Sequence, residues 1–257
     1  MTFEEPVEPQ PFTMHAVSTP ILMRIKQGNI QASKFSNAAM MVALRQEIFI
    51  ANTIKRSTEL NAEQYNTDPS LEPAPEAVWA HRMIFHAAQI TNFVYAEGVE
   101  SVDEWDCLFQ YLNDWDQRKP DSFRPMNYVS EEELGIPVIH YTYGCPIAGQ
   151  QYLQLSGILL LAHDPRAPVL GLGRTSYAHT QEEKIRKCVH IIYGIARSNP
   201  EYMPARLTAG LTIALYGELF SEPSETTKLF RMVSEAELHL GWPCLKVSHR
   251  LQNFWGL

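Results

Sequence analysis

Apolar residues recur at helical spacing along most of this chain, and that periodicity limits what the chain can fold into. Ile185, Val189, Ile192 and Ala196 are separated by four, three and four positions, which places them on one face of an α-helix. No segment alternates apolar and polar residues well enough to predict a sheet. The pattern predicts an all-α fold, an irregular helical array or bundle. Its helices are expected at about 32–56, 76–97, 101–118, 146–163, 179–198, 203–221, 224–240 and 243–254.

The chain is expected to consist of a short tail and one domain. Residues 1–31 are rich in proline and glutamate, which favours a partly disordered tail, and residues 32–257 are expected to form a single helical domain. Ser101 followed by Glu104 predicts the cap of the third helix. Prolines and glycines interrupt the helical pattern at about 119–144, which predicts one long loop with at most a short helical turn. A loop of this length in a compact domain is often functional.

The charge balance argues against direct binding to nucleic acid. The chain has 29 acidic and 21 basic residues and a net charge of −8, whereas proteins that bind DNA cluster lysine and arginine against its phosphates. Cys107, Cys145, Cys188 and Cys244 are 38, 43 and 56 positions apart, unlike the closely spaced thiolates that hold a zinc cluster. We therefore expect neither a metal nor a cofactor, and thiols that stay reduced.

The sequence also predicts no membrane span. The longest apolar stretch, "ILLLA" at 158–162, is far shorter than the roughly 20 residues that cross a bilayer. The N-terminus is acidic and rich in proline, unlike a cationic and then apolar signal peptide. We expect an intracellular protein of the cytoplasm or nucleus.

The segment "VIHYTYGC" at 138–145 contains the first group of candidate site residues. Tyrosine and histidine combine an apolar body with a polar tip, which suits the orientation of a hydrophobic small molecule. His140 and Tyr143 are candidate catalytic residues that could donate to a substrate carbonyl, and Tyr141 and Cys145 are candidate ligand contacts. The alternative is that these residues only cover the core.

His86 is the third catalytic candidate, because a histidine in the apolar segment "MIFHAAQI" could act as a general base or polar anchor in a pocket. The alternative is a core histidine bonded to a backbone carbonyl. Tyr152 and Trp115 complete the candidate ligand-binding set. "HDP" at 163–165 could suggest a His–Asp dyad, but a residue before proline leaves the α region, so helix termination is favoured.

Five segments follow one another in an order that resembles a known family. They are "ALRQEIFIANTIKR" (43–56), "WAHRMIFHAAQI" (79–90), "WDQRKPDSFRPM" (115–126), "GQQYLQLSGILLLAHDPRAPVLGLG" (149–173) and "GIARSNPEYMPARLTAGLTIALYGELF" (194–220). In order and spacing they resemble the effector region of fungal binuclear zinc-cluster transcription factors. The resemblance implies a helical array with a pocket or partner surface, involved in ligand response, self-association and coupling to the transcription machinery.

The resemblance does not extend to a DNA-binding module. No zinc cluster precedes the first segment, and the family's effector region usually begins much further upstream of the segment that contains "LRQE". We expect the missing helices to be replaced by a homodimer contact, by repacking or by a ligand site. The fourth alternative is that the sequence is a fragment of a longer gene product.

Two functions remain open from the sequence. The first is a regulator linked to fungal secondary metabolism that binds a small hydrophobic molecule or a protein partner, as a homodimer or by pairing with a complete transcription factor. The alternative is a repurposed, cofactor-independent enzyme of natural-product biosynthesis, of the cyclase, isomerase or pericyclase type. Proximity and orientation in a shaped cavity can suffice for such reactions, so they need no catalytic motif.

Overall fold

The fold is all-α, as the periodicity predicts. A computed structural model describes residues 34–58, 68–96, 98, 101–130, 135–171, 173–240 and 245–256. The expected disordered tail at 1–31 lies outside these residues. Within them the chain forms eight α-helices: α1 Lys34–Ile54, α2 Glu76–Tyr95, α3 Val102–Arg118, α4 Gly144–Ala162, α5 Arg174–Ser198, α6 Pro204–Tyr216, α7 Pro223–Leu240 and α8 Leu245–Trp255.

Helix α4 lies at the centre of the array because it is apolar on nearly every face. Leu155, Ile158, Leu159 and Leu160 are fully buried, and the helix packs against α2 on one side and α5 on the other. Gln151 is buried too, and its Nε2 donates to the carbonyls of Ile192 in α5 and Ala205 in α6, both at 3.1 Å. This one amide joins three helices.

The outer helices pack in sequence around that centre. Helix α6 packs against α5, α7 packs against α6, and α8 packs mainly against α7 and also contacts α6. Helix α1 covers α2 and touches α6. Among the described residues, no helix is both long and apolar enough to cross a membrane.

Two helix ends follow the sequence prediction. The Ser101 side chain accepts from the backbone N–H of Glu104 at the start of α3. Helix α4 ends at Ala162, just before Asp164, whose carboxylate accepts from the Arg166 backbone N–H and from the Tyr177 hydroxyl. "HDP" is therefore a helix terminus.

Helix α5 begins earlier than predicted. It starts at Arg174, whereas the apolar pattern predicts a start near 179. The first turns, "RTSYAHT", are polar and largely exposed, so no apolar periodicity marks them. Apolar periodicity reveals a helix only where one of its faces is buried, and these turns have no such face.

The region 119–144 contains more structure than the predicted loop. A short helical turn at Asp121–Phe123 agrees with the prediction. Two antiparallel strands, β1 Asn127–Val129 and β2 Val138–His140, were not predicted. They pair Asn127 with His140 and Val129 with Val138. Strands of three residues are too short to show an alternating pattern.

The hairpin formed by β1 and β2 lies directly on α5. A Cβ atom at Gly194 would sit 2.2 Å from the carbonyl oxygen of Pro137, so only glycine permits this close approach. Asn199, which is 1% exposed, accepts from the Tyr141 backbone N–H at 3.0 Å and donates to the Ile139 carbonyl at 2.8 Å. The Ser198 hydroxyl accepts from the Ile139 backbone N–H at 3.1 Å. The end of α5 thus fixes the position of β2.

Candidate ligand cleft

An open cleft lies between the hairpin, the C-terminal end of α5 and the outer face of α7. Its volume is about 700 Å³. The lining residues are Ile136, Pro137, Val138, His140, Tyr193, Arg197, Ser198, Pro200, Thr227, Lys228 and Arg231. A smaller side cavity of about 230 Å³ shares Tyr193, Arg197 and Arg231 with the cleft and adds Arg206, Met232 and Glu235. The shared residues make the two spaces neighbours.

One wall of the cleft is apolar. Ile136 and Pro137 are buried and Val138 is half-buried in the hairpin, while Tyr193 of α5 is 2% exposed. These side chains are held by the packing of the hairpin on α5. The wall is therefore preformed and can receive the apolar body of a small molecule.

The cleft also has cationic lining. Arg197, Lys228 and Arg231 line it, and Arg206 lines the side cavity. Arg231 donates through Nε to Glu235 at 2.9 Å, with the two side chains 76% and 30% exposed. Among the residues that the structure describes, Arg197 and Arg206 have no ion-pair partner, and Lys228 interacts with the nearby Glu222 carboxylate. The cleft therefore concentrates positive charge in a chain of net charge −8.

A hydrogen bond between side chains connects the two helices that flank the cleft. Nε2 of His190 in α5 contacts the carboxylate of Glu225 in the first turn of α7. The His190 ring also lies 5.4 Å from the ring of Phe220, measured between centroids. This contact joins the start of α7 to α5.

Of the seven predicted site residues, His140 lines the cleft. It is exposed, and it is the last residue of β2. Tyr141, the next residue, is buried on the other side of the strand, and burial raises the pKa of its hydroxyl. Neighbours in the sequence thus face different surroundings because side chains alternate along a strand.

Tyr143 and Cys145 lie at the start of α4. The Tyr143 hydroxyl bonds to the carboxylate of Glu76, which raises the pKa of Tyr143 and lowers that of Glu76. Cys145 is half-buried; burial, and then the nearby Glu76 carboxylate, raise the pKa of its thiol. A raised pKa makes the thiol a poor nucleophile near neutrality. Neither residue lines the cleft or the side cavity.

Trp115 and Tyr152 belong to the core. Trp115 is 0% exposed, its Nε1 donates to the Trp79 carbonyl at 3.0 Å, and its ring packs edge-on against Phe123. Tyr152 is buried within α4, and desolvation raises the pKa of its hydroxyl. The structure therefore separates both residues from the cleft and from His140.

His86 is a core histidine bonded to a backbone carbonyl, which is the second of the two interpretations that its sequence position allows. Its Nε2 lies 2.9 Å from the Leu108 carbonyl, which can only accept, so Nε2 carries the proton. The ring is 3% exposed and lies 4.4 Å from the ring of Tyr111, measured between centroids. Burial lowers the pKa of His86 to about 4. This histidine is neutral at physiological pH and lies outside the cleft.

The sequence did not point to most of the cleft. Arg197, Lys228 and Arg231 are separate residues on two helices, and each follows the ordinary pattern of a solvated face. The one local signal is Asn199 before Pro200, where a polar cap and a proline end α5. In the part of the chain that the structure describes, no three His, Cys, Asp or Glu side chains are grouped to hold a metal.

Comparisons with known proteins add no further assignment. The chain matches no protein-family model, no curated protein and no solved structure.

Proposed function

We propose that the protein is a small-molecule-binding regulator of the effector-domain type, and that its ligand binds in the cleft between the hairpin, α5 and α7. The supporting observation is the cleft itself, whose volume of about 700 Å³ lies between a preformed apolar wall and several polar groups. Ligand pockets commonly have volumes of roughly 300–1,000 Å³ and this mixed lining.

The position of the cleft suits a regulator because separate elements form it. A molecule in the cleft would touch the hairpin through Val138 and α7 through Thr227 at the same time. Binding energy that depends on both elements favours the conformation in which they are close. A partner, either a second copy or a complete transcription factor, would then respond to the position of α7.

This regulator would act in fungal secondary metabolism, and the resemblance of the five segments implies that it is coupled to the transcription machinery. The proposal needs no contact between this chain and DNA, in keeping with the net charge of −8. The cleft provides the ligand site, and the partner provides access to the gene.

The alternative is a cofactor-independent enzyme that uses the same cleft. The observation in its favour is His140, an exposed candidate acid–base group on the rim of the cleft. The apolar wall beside such a group could orient a substrate for cyclisation or isomerisation.

Binding of the neutral fluorophore phenylnaphthylamine tests the assignment of the site. Thr227→Trp would fill the cleft, and its matched control is Thr180→Trp on α5. Both threonines are exposed, and each hydroxyl donates to a carbonyl four residues earlier. We expect Thr227→Trp to weaken binding by about tenfold or more, since it occupies the site, and Thr180→Trp to leave binding unchanged. Equal binding by both variants would reject the cleft as the site.

Deletion of the gene, followed by transcript and metabolite profiling, separates the two functions. Loss of transcripts across a biosynthetic gene cluster is the outcome expected of a regulator. Unchanged transcripts, with accumulation of one unprocessed intermediate, would reject regulation in favour of the enzyme. In that case His140→Ala should abolish conversion of the intermediate while the protein still binds phenylnaphthylamine.

A further inference from the structure

We infer that the ligand is an amphiphilic organic acid, with its apolar body on the hairpin wall and its anionic group held by Arg197 and Arg231. This inference rests on the proposed function and adds the chemical class of the ligand. The anionic group is a carboxylate, sulfate or phosphate monoester, which share oxygen acceptors that match the fork of a guanidinium.

The two arginines come from different helices and line the same two spaces. Arg197 comes from the last turn of α5 and Arg231 from the middle of α7, and both line the cleft and the side cavity. They therefore lie where the two spaces meet. A molecule on the hairpin wall that extends toward the side cavity must pass these side chains.

The charges in the lining are unbalanced. Among the described residues that line the two spaces, Arg197, Arg206, Lys228 and Arg231 are cationic, and Glu235 is the one carboxylate. Glu235 is paired with Arg231, and Lys228 also interacts with the nearby Glu222 carboxylate, which leaves Arg197 and Arg206 available to an anion. An anionic group would gain from this field, whereas a cation would be repelled.

Apolar surface adjoins the cationic side chains. Tyr193, which is 2% exposed, lines both spaces together with Arg197 and Arg231. Pro137 and Val138 continue this surface along the hairpin. A free inorganic anion would leave that wall unused, and a polyanion such as nucleic acid would meet the net charge of −8.

Glu235 has a defined role in this arrangement. Its carboxylate competes with the ligand for Arg231, with which it pairs at 2.9 Å. Removal of the carboxylate should therefore strengthen binding of an anion, whereas removal of either arginine should weaken it. Opposite effects from two residues in contact distinguish recognition of charge from a general disturbance of the cleft.

The experiment compares two fluorophores that share one ring system. Anilinonaphthalene sulfonate has an anionic sulfonate, and phenylnaphthylamine lacks it. We expect wild type to bind the sulfonate about tenfold more tightly, with an advantage that shrinks as salt is added. Arg197→Gln and Arg231→Gln should each weaken sulfonate binding about three- to fivefold and leave phenylnaphthylamine unaffected, as expected for partly exposed ion pairs.

Two further variants complete the design. Glu235→Gln should strengthen sulfonate binding about two- to threefold. Lys187→Gln, at an exposed residue of α5 that lines neither space, is the matched control and should change nothing. Far-UV circular dichroism and thermal unfolding would show that each variant remains folded.

The possible outcomes separate this inference from the proposed function. Wild type could bind the two fluorophores with equal affinity while Thr227→Trp excludes both. That result would overturn the inference that the ligand is an acid, but the cleft would remain a ligand site. Arginine variants that weaken both fluorophores equally would overturn it too, because the side chains would then act on shape alone. If Thr227→Trp binds both fluorophores as tightly as wild type does, the proposed function itself is rejected.

Discussion

Arg82 in the core and Arg197 in the cleft show two opposite uses of the same side chain. Arg82 is 2% exposed; its Nη2 donates to Asp68 at 2.6 Å, its Nη1 donates to the Glu72 carbonyl at 2.9 Å, and its guanidinium lies over the Trp79 ring. Arg197 is exposed and pairs with no described carboxylate. The core arginine holds the preceding loop on α2, and the cleft arginine remains available to a ligand.

The electrostatic consequences differ in the same way. Hydrogen bonds from Ser70, and then from Arg82, lower the pKa of Asp68 to about 2, so this carboxylate is charged across the physiological range. In the cleft, Arg231 has the partly exposed Glu235 as its counter-charge. Surface pairs of this kind contribute little to stability and are readily exchanged. Unfolding experiments should therefore detect the loss of the core arginine, and ligand-binding experiments should detect the loss of the cleft arginine.

The largest contrast is expected between Arg82→Met and Arg197→Met. The first variant removes the buried guanidinium that donates to the Asp68 carboxylate and to the Glu72 backbone carbonyl. Because the Asp68 side chain left behind is 56% exposed, the free energy of unfolding should fall by about 1–3 kcal/mol. The second removes an exposed cation and should change it by less than about 0.5 kcal/mol. Urea unfolding of the two variants measures both. If the two variants lost similar amounts of unfolding free energy, the distinction between the core and the cleft would be contradicted.

The acid dependence of stability tests the buried side of the comparison at His86. The unfolded chain binds a proton near pH 6.5, whereas the folded chain resists protonation until about pH 4. The contribution of neutral His86 to the free energy of unfolding is therefore fully present above pH 6.5. It falls by about 3 kcal/mol as the pH drops toward 4. In His86→Gln, which can still donate to the Leu108 carbonyl, that part of the loss should vanish. An identical pH profile in wild type and variant would contradict the assignment.

Asn199 lies at the boundary between the two regions. Asn199→Ala removes the bonds to the Tyr141 N–H and the Ile139 carbonyl and leaves both groups unpaired. We expect a loss of about 2 kcal/mol of stability. Binding of phenylnaphthylamine should weaken as well, because β2 loses its attachment to α5. Asn253→Ala, at an exposed position of α8, is the control for both measurements. A stable variant with an intact cleft would refute this role.

The sequence predicted the fold better than the site because burial leaves a periodic pattern and an open cleft does not. Helix α4 is recognisable from its apolar run, and the cap at Ser101 follows from residue types three positions apart. The strands of the hairpin are too short to detect. Arg197 and Arg231 come together only through the packing of α5, α6 and α7.

The candidate residues show the same limit. A histidine in an apolar helix, such as His86, and a tryptophan at helical spacing, such as Trp115, are typical of the core and are found there. The segment 138–145 looked like one site because its polar residues are close in sequence. The strand and the start of α4 instead place His140 in the cleft and Tyr143 beside Glu76.

Side-chain NMR of arginine during titration with anilinonaphthalene sulfonate tests the central claim most directly. The Nε–Hε signals of Arg197 and Arg231 should shift together and saturate with the binding curve. The signal of Arg82, which is fully bonded in the core, should stay in place and provides an internal reference. Saturable binding that moves neither Arg197 nor Arg231 would contradict the account, because the anion would then be held elsewhere.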